Sequence, residues 1–245
     1  MTPQSPSTAA NPVPFAGRAV GEIAATLPGA TAVFRRFDLD FCCGGAVRLD
    51  EAALKRGIDL AAIDRALAAL DHAPDATAPR ETGALIDHIL ARFHETHRAE
   101  LPELLRLARK VEAVHAAHPQ APLGLGDELY RLGLELESHM QKEELVLFPL
   151  MRDCASVGEG PSGAKIAAPP TIRHPIARMR HEHDAHGQHL ATLRALTHDL
   201  VLPADACRSW QALYAGLAKF IDDLMEHVHL ENNLLFPRFA PDFRD

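Results

Sequence analysis

HMQKEELVLFP, residues 139–149, returns in altered form as HVHLENNLLFP at 227–237. Both copies set a histidine four residues ahead of a glutamate, inside an apolar run that ends in Phe-Pro. The residues around them keep a sevenfold spacing. Leu129, Leu136, Glu143 and Leu150 form one row, and Leu132, His139 and Val146 a second. Trp210, Leu217, Leu224 and Glu231 form a third, and Leu213, Phe220, His227 and Leu234 a fourth. Such rows are the seams of a helical bundle. His139, Glu143, His227 and Glu231 therefore stand where leucine is expected. An unpartnered buried polar group costs about 1–3 kcal/mol, and more when charged. Two such pairs in one core need something that satisfies them.

Inward histidines on two other helices supply the answer. FHETH carries His94 and His97; HEHDAH carries His183, in a row with Ile176 and Leu190, and His186, in a row with Met179 and Leu193. The pattern is HxxH then HxxxE, twice, with corresponding residues 88 or 89 apart. Side chains four apart on a helix are neighbours, so a His and a Glu so placed can ligate one metal or adjacent metals. One histidine from each HxxH, together with His139 and His227 and with both glutamates bridging, gives each of two metals two nitrogens and two oxygens. An oxo or hydroxo bridge would bring each to five ligands and leave one position open. Mixed imidazole and carboxylate ligation suits iron, with manganese second. A closed zinc site takes four ligands and usually draws on cysteine. The Glu-x-x-His spacing of ferritin-like centres occurs at Glu112 and His115, but only there, so it is discounted.

The rest of the chain sets the frame. Few glycines and long Ala/Leu/Glu/Arg stretches favour an all-α protein. A disordered tail is expected at 1–14, without the basic start and apolar core of a signal peptide. A small helical unit is expected at 15–72, with Gly57 ending its third helix and Asp59 capping its fourth. A Pro/Ala/Asp-rich linker follows at 73–80. Residues 81–245 read as an up-down four-helix bundle with helices near 81–117, 125–153, 173–200 and 204–236. Pro102 should kink or restart the first of these. The net charge of −8 opposes a nucleic-acid surface. No apolar run approaches the ~18 residues of a membrane span. Four cysteines make no disulfide framework at this size, which points to cytosolic thiols and a cytoplasmic protein.

DLDFCCGG, IDHILARFHETHRAELPEL, SHMQKEELVLFP, HEHD and LMEHVHLENNLLFPR, in this order, resemble the repair-of-iron-centres family. The resemblance covers nearly everything after the tail. It implies a hemerythrin-like bundle behind a small N-terminal domain, with two non-haem iron ions. It selects His94, His139, Glu143, His183, His227 and Glu231 as ligands, where spacing left His97 and His186 open. It also implies restoration of iron–sulfur proteins damaged by nitric oxide or oxidative stress, with iron donation as the means.

Three readings compete. The first is repair, with no defined turnover reaction. The second is a hemerythrin-like protein that binds or scavenges NO or O₂. The third is a di-iron NO reductase. A gas carrier has little use for a thiol pair, so CCGG favours repair. Cys42 and Cys43 are then candidates for electron or iron transfer. Being adjacent, they should strain to serve one tetrahedral metal, and Cys43 is expected to pack while Cys42 is partly exposed. Glu135, one turn before His139, and Glu182, next to His183, are candidates for steering the ligand histidines, relaying protons or letting iron out. Solvated surface carboxylates are the plain alternative. Cys154, Cys207, Tyr130, Tyr214 and Trp210 read as structural. A monomer or a homodimer fits equally.

Overall fold

The computed structural model describes residues 15–70, 79–157 and 172–240. The expected tail, most of the linker and most of the connection at 155–170 lie outside these residues. Within them the protein is helical, with eight helices and one isolated bridge between Ala19 and Arg48. No helix among the described residues is long and apolar enough to cross a membrane.

Four short helices come first: α1 Val20–Thr26, α2 Ala30–Arg36, α3 Leu49–Arg56 and α4 Leu60–Ala68. Their limits follow local chemistry. α3 has Asp50 and Glu51 in its first turn and Lys55 and Arg56 in its last, the arrangement its dipole favours. It stops at Gly57, whose φ of 67° suits a residue without Cβ. Asp59 then caps α4, its carboxylate accepting from the Ala61 N–H at 2.9 Å.

Four long helices follow: α5 (82–114), α6 (125–157), α7 (Arg173–Leu196) and α8 (208–238). α5 runs through Pro102 without a break, so the proline neither ends nor restarts it. α7 stops four residues earlier than its pattern suggested. His198, Asp199 and Leu200 all take positive φ there, and the Thr197 hydroxyl turns back to the Leu193 carbonyl at 2.7 Å.

Two apolar clusters fix the topology. One joins Leu85 and Ile89 near the start of α5, Phe148 and Met151 late in α6, Ile176 early in α7 and Phe236 late in α8. The other joins Ala108 and Val111, Leu125 and Leu129, Leu190 and Leu193, and Trp210 and Leu213, from the opposite ends. Consecutive helices therefore alternate in direction. The short N-terminal helices extend the second cluster through Val20, Ile23, Phe34 and Phe41.

Three bundle helices carry a π-helical turn, at Leu90–His94, Glu143–Leu147 and Leu230–Leu235. Each turn holds or begins beside a candidate ligand. A π turn inserts one residue and shifts every later side chain around the helix. Beyond Glu143 the buried residues are thus Leu147 and Met151, while Val146 and Leu150 of the expected rows are exposed. Beyond Glu231, Leu235 is buried in place of Leu234.

Candidate metal centre

Between the two apolar clusters lies a layer of buried polar groups. His94, His139, Glu143, His183, His227 and Glu231 are all at most 1% exposed. They converge as two groups that share both glutamates. His94, Glu143, His227 and Glu231 each offer one ligand atom within 4.8 Å of the others, as do His139, Glu143, His183 and Glu231. The spacing of the motifs left open which histidines go together; the fold pairs α5 with α8 and α6 with α7.

The outer nitrogens of the rings show why the inner ones are reactive. His94 Nδ1 lies 2.8 Å from Glu144, whose carboxylate Arg98 holds at 2.7 Å. Burial works against that carboxylate's charge, but Arg98 and His94 outweigh it and keep its pKa low. His139 Nδ1 lies 3.0 Å from Glu182, which also accepts from Lys142 and Arg178 at 2.7 Å each. These contacts hold Glu182 well below the usual carboxylate range, the His139 bond most of all. His183 Nδ1 lies 2.9 Å from the side-chain Oδ1 of Asn232, and that side-chain amide is oriented because its Nδ2 donates to the Cys42 backbone carbonyl at 3.0 Å. With an acceptor at each outer nitrogen, all three Nδ1 atoms carry a proton, and the three Nε2 atoms face inward, where each can take a further proton or a metal.

Inside, those nitrogens meet. His139 Nε2 and His183 Nε2 are 3.1 Å apart, as are His94 Nε2 and His227 Nε2. Two ionised carboxylates stand beside them. Neither Glu143 oxygen has a hydrogen-bond partner, although His139 and His94 approach to 3.3 and 3.4 Å. Protons or metal cations between these groups relieve the crowding. Burial opposes charge on His139, but Glu143 beside it prevails and pushes the imidazole up to about 10. Glu231 is held well below its ordinary range against burial, through His227 and His183. Nitrogen and oxygen donors with these orphaned atoms suit a divalent metal as well as they suit protons.

Aromatic rings wall the site. Phe93 stacks on His227 with ring centroids 5.5 Å apart, Phe236 on His183 at 5.8 Å and Phe148 on His94 at 5.8 Å. The second histidine of each HxxH is buried beside a candidate ligand ring without joining either group. His97 is 5.4 Å from His227 and His186 is 4.9 Å from His139, centroid to centroid. Burial first, then neighbouring imidazoles, lower both to about 2, so they are neutral.

Glu182 is therefore bonded to His139, a candidate ligand. Glu135 is half-exposed and reaches His189 at 3.2 Å instead of His139. Both line a recess of about 300 Å³ between α6 and α7, with Lys142, Arg178 and His186. The cysteine exposure is the reverse of the expected order: Cys42 is buried and Cys43 half-buried. The loop turns Cys42 beneath itself, and Cys43 reaches the His183 carbonyl at 3.3 Å.

Sequence reading overlooked Glu144 and Asn232. The internal repeat carries the signal. His94 and His183 are 89 apart, and Glu144 and Asn232 are 88 apart. One bond, Nδ1 to a side-chain oxygen, recurs in both halves.

Fold and site define a helical-bundle protein whose buried His/Glu clusters can hold metal cations. Residues 85–239 match the hemerythrin HHE cation-binding domain, and residues 16–71 match ScdA_N, a domain of unknown function. The iron–sulfur cluster repair protein YtfE of Dickeya chrysanthemi is 46% identical over 91% of this chain and 97% of its own. That of Musicola paradisiaca is 46% identical over 90% and 95%. A probable iron–sulfur cluster repair protein of Haemophilus influenzae is 43% identical over 91% and 97%. The chain belongs to the hemerythrin-domain family of iron–sulfur cluster repair proteins, the one its motifs resemble.

Proposed function

We propose that this protein holds two non-haem iron ions and repairs iron–sulfur proteins damaged by nitric oxide or oxidative stress, in the cytoplasm, by supplying iron. The observation that carries the reading is the pair of four-residue groups sharing Glu143 and Glu231. His94 and His227 would hold one ion, His139 and His183 the other, with both glutamates spanning them. Iron held there supplies redox chemistry and affinity for small ligands such as NO or O₂. The chain's own residues do the rest. Glu144 and Glu182 keep protons on the outer nitrogens of His94 and His139, which raises the basicity of the inner ones. Phe93, Phe148 and Phe236 keep water from the rings. The recess lined by Glu135 and Glu182 supports these two acids as the way by which iron passes between His139 and solvent. The relatives are named for repair, which favours that role over a gas carrier or an NO reductase.

The test joins iron content to repair. Wild-type protein should carry about two irons per chain. It should restore activity to an iron–sulfur enzyme stripped of its cluster or treated with NO. His139→Ala and His227→Ala should each lose iron sharply, and the double variant should restore nothing. Full loading of the double variant would overturn the ligand set. Failure of the loaded wild type to restore the enzyme would overturn repair.

A further inference from the structure

Among the described residues one other group of side chains converges as ligands do: Asp40, Cys42 and Cys43, on the loop between α2 and α3. The Asp40 carboxylate organises this loop. Its Oδ1 accepts from the backbone N–H of Cys42 at 3.1 Å and of Cys43 at 2.9 Å. Adjacent side chains on extended backbone point to opposite faces. Here the turn brings both sulfurs to one side, 3.8 Å apart, with Cys42 Sγ 3.4 Å from Asp40 Oδ1. With metal–sulfur bonds of about 2.3 Å, sulfurs so placed subtend roughly 110° at a shared ion. The sulfur–oxygen pair subtends roughly 100° if the metal–oxygen bond is about 2.1 Å. Both angles are close to tetrahedral. Although the cysteines are adjacent, their sulfurs lie within reach of one ion.

The loop is also braced from behind. Asn232 donates to the Cys42 carbonyl and Asn233 to the Phe41 carbonyl, at 3.0 Å each. A Cβ on Gly45 would lie 3.1 Å from Asn233 Oδ1, and one on Gly21 would lie 2.4 Å from it, so glycine at both lets the loop reach α8. Cys42 is buried, Cys43 half-buried and Asp40 exposed, which opens the group to solvent at its carboxylate end.

We propose that Asp40, Cys42 and Cys43 form a further metal site, separate from the His/Glu centre, that takes one thiophilic divalent ion such as Fe(II) or Zn(II). Two thiolates and one carboxylate oxygen ligate it. The thiols release their protons to solvent as the ion binds, and no electron is transferred. Three protein ligands leave a fourth position for exchange, unlike a closed structural site. The site stands on its own ligands. If the repair reading holds, it is a surface berth for an ion beside the backbone of His183.

Cobalt(II) is the probe, added anaerobically to full-length protein whose His/Glu centre is already filled with iron. One further equivalent should bind and give near-ultraviolet thiolate-to-cobalt bands. Cys43→Ser should remove those bands, and Asp40→Asn should weaken binding by roughly tenfold or more, with iron content unchanged in both. His139→Ala should lose iron and keep the bands, so failure of the His/Glu assignment shows separately. Absence of thiolate bands in excess cobalt would overturn the site. So would bands that survive Cys42→Ser combined with Cys43→Ser, since Cys154 or Cys207 would then be the ligand.

Discussion

At the level of single residues, the four histidines of the centre differ in what holds their outer nitrogen. His94 has a carboxylate backed by Arg98, His139 a carboxylate backed by Lys142 and Arg178, and His183 an amide. His227 Nδ1 has no partner. Replacing such a partner of a ligating histidine usually lowers metal affinity about 10- to 100-fold. Glu144→Leu and Glu182→Leu should therefore load fully at saturating iron, yet surrender it to a competing chelator about 10- to 100-fold more readily. Glu135→Leu should keep the equilibrium affinity, because that carboxylate reaches His189, and should change only the release rate through the recess. Release rates equal to wild type in Glu182→Leu would return that acid to a surface role. Burying polar groups at seam positions demands compensation, so His139, Glu143, His227 and Glu231 stand out in the chain itself, while only the family resemblance prefers His94 to His97 and His183 to His186. Glu144 does not stand out, because a glutamate beside a seam ordinarily faces water and only the fold brings it to His94.

At the level of the helix, the π turns are where sequence periodicity and structure part. Up to Glu143 and Glu231 the sevenfold rows describe the buried face. Beyond them the face moves on by one residue, as Leu147, Met151 and Leu235 show. A heptad carries no mark of an inserted residue, since the same leucines fit either frame. In α6 the turn begins at Glu143, which enters the centre while Glu144, next to it, reaches His94, and it carries Phe148 onto the His94 ring. Leu145, inside the turn and 75% exposed, is the natural residue to delete. Removing it would return α6 to a regular α-helix, with Leu147 and Met151 falling on the original rows. The variant should keep its helicity and melt close to wild type once both are stripped of metal. Its metal content should fall, because Phe148 would lose the turn that now sets it on the His94 ring. Normal metal loading with unchanged circular dichroism would show that the π turn is incidental to the site.

Over the whole molecule, the buried histidines tie stability to pH in opposite directions. The N-terminal helices share a core with the bundle and lean on its site: Phe41 meets the edge of His229, and Arg35 pairs with Glu226 at 3.0 Å. Burial lowers His229 to about 4, and His97 and His186 to about 2. An unfolded chain takes up these three protons below the ordinary histidine value of 6.5, while the folded chain refuses them. Each such proton costs about 1.4 kcal/mol per pH unit, so stability should fall steeply on the acid side. His139 works the other way. With its folded value raised to about 10, its contribution is complete below 6.5 and is lost as the pH rises through 10. Glu143 and Glu231, both held low, contribute fully above 4.5 and stay constant across that window. Protein stripped of metal by a chelator should therefore be most stable near neutral pH and weaken on both sides. Metal binding needs the same imidazoles deprotonated, so its stabilising effect should grow as the pH rises. Thermal melts of stripped and iron-loaded protein from about pH 5 to about pH 9 test both arms. The gap in Tm between the two should widen from neutral to alkaline pH. A gap that stays flat or narrows would mean that the histidines of this layer do not exchange protons for metal.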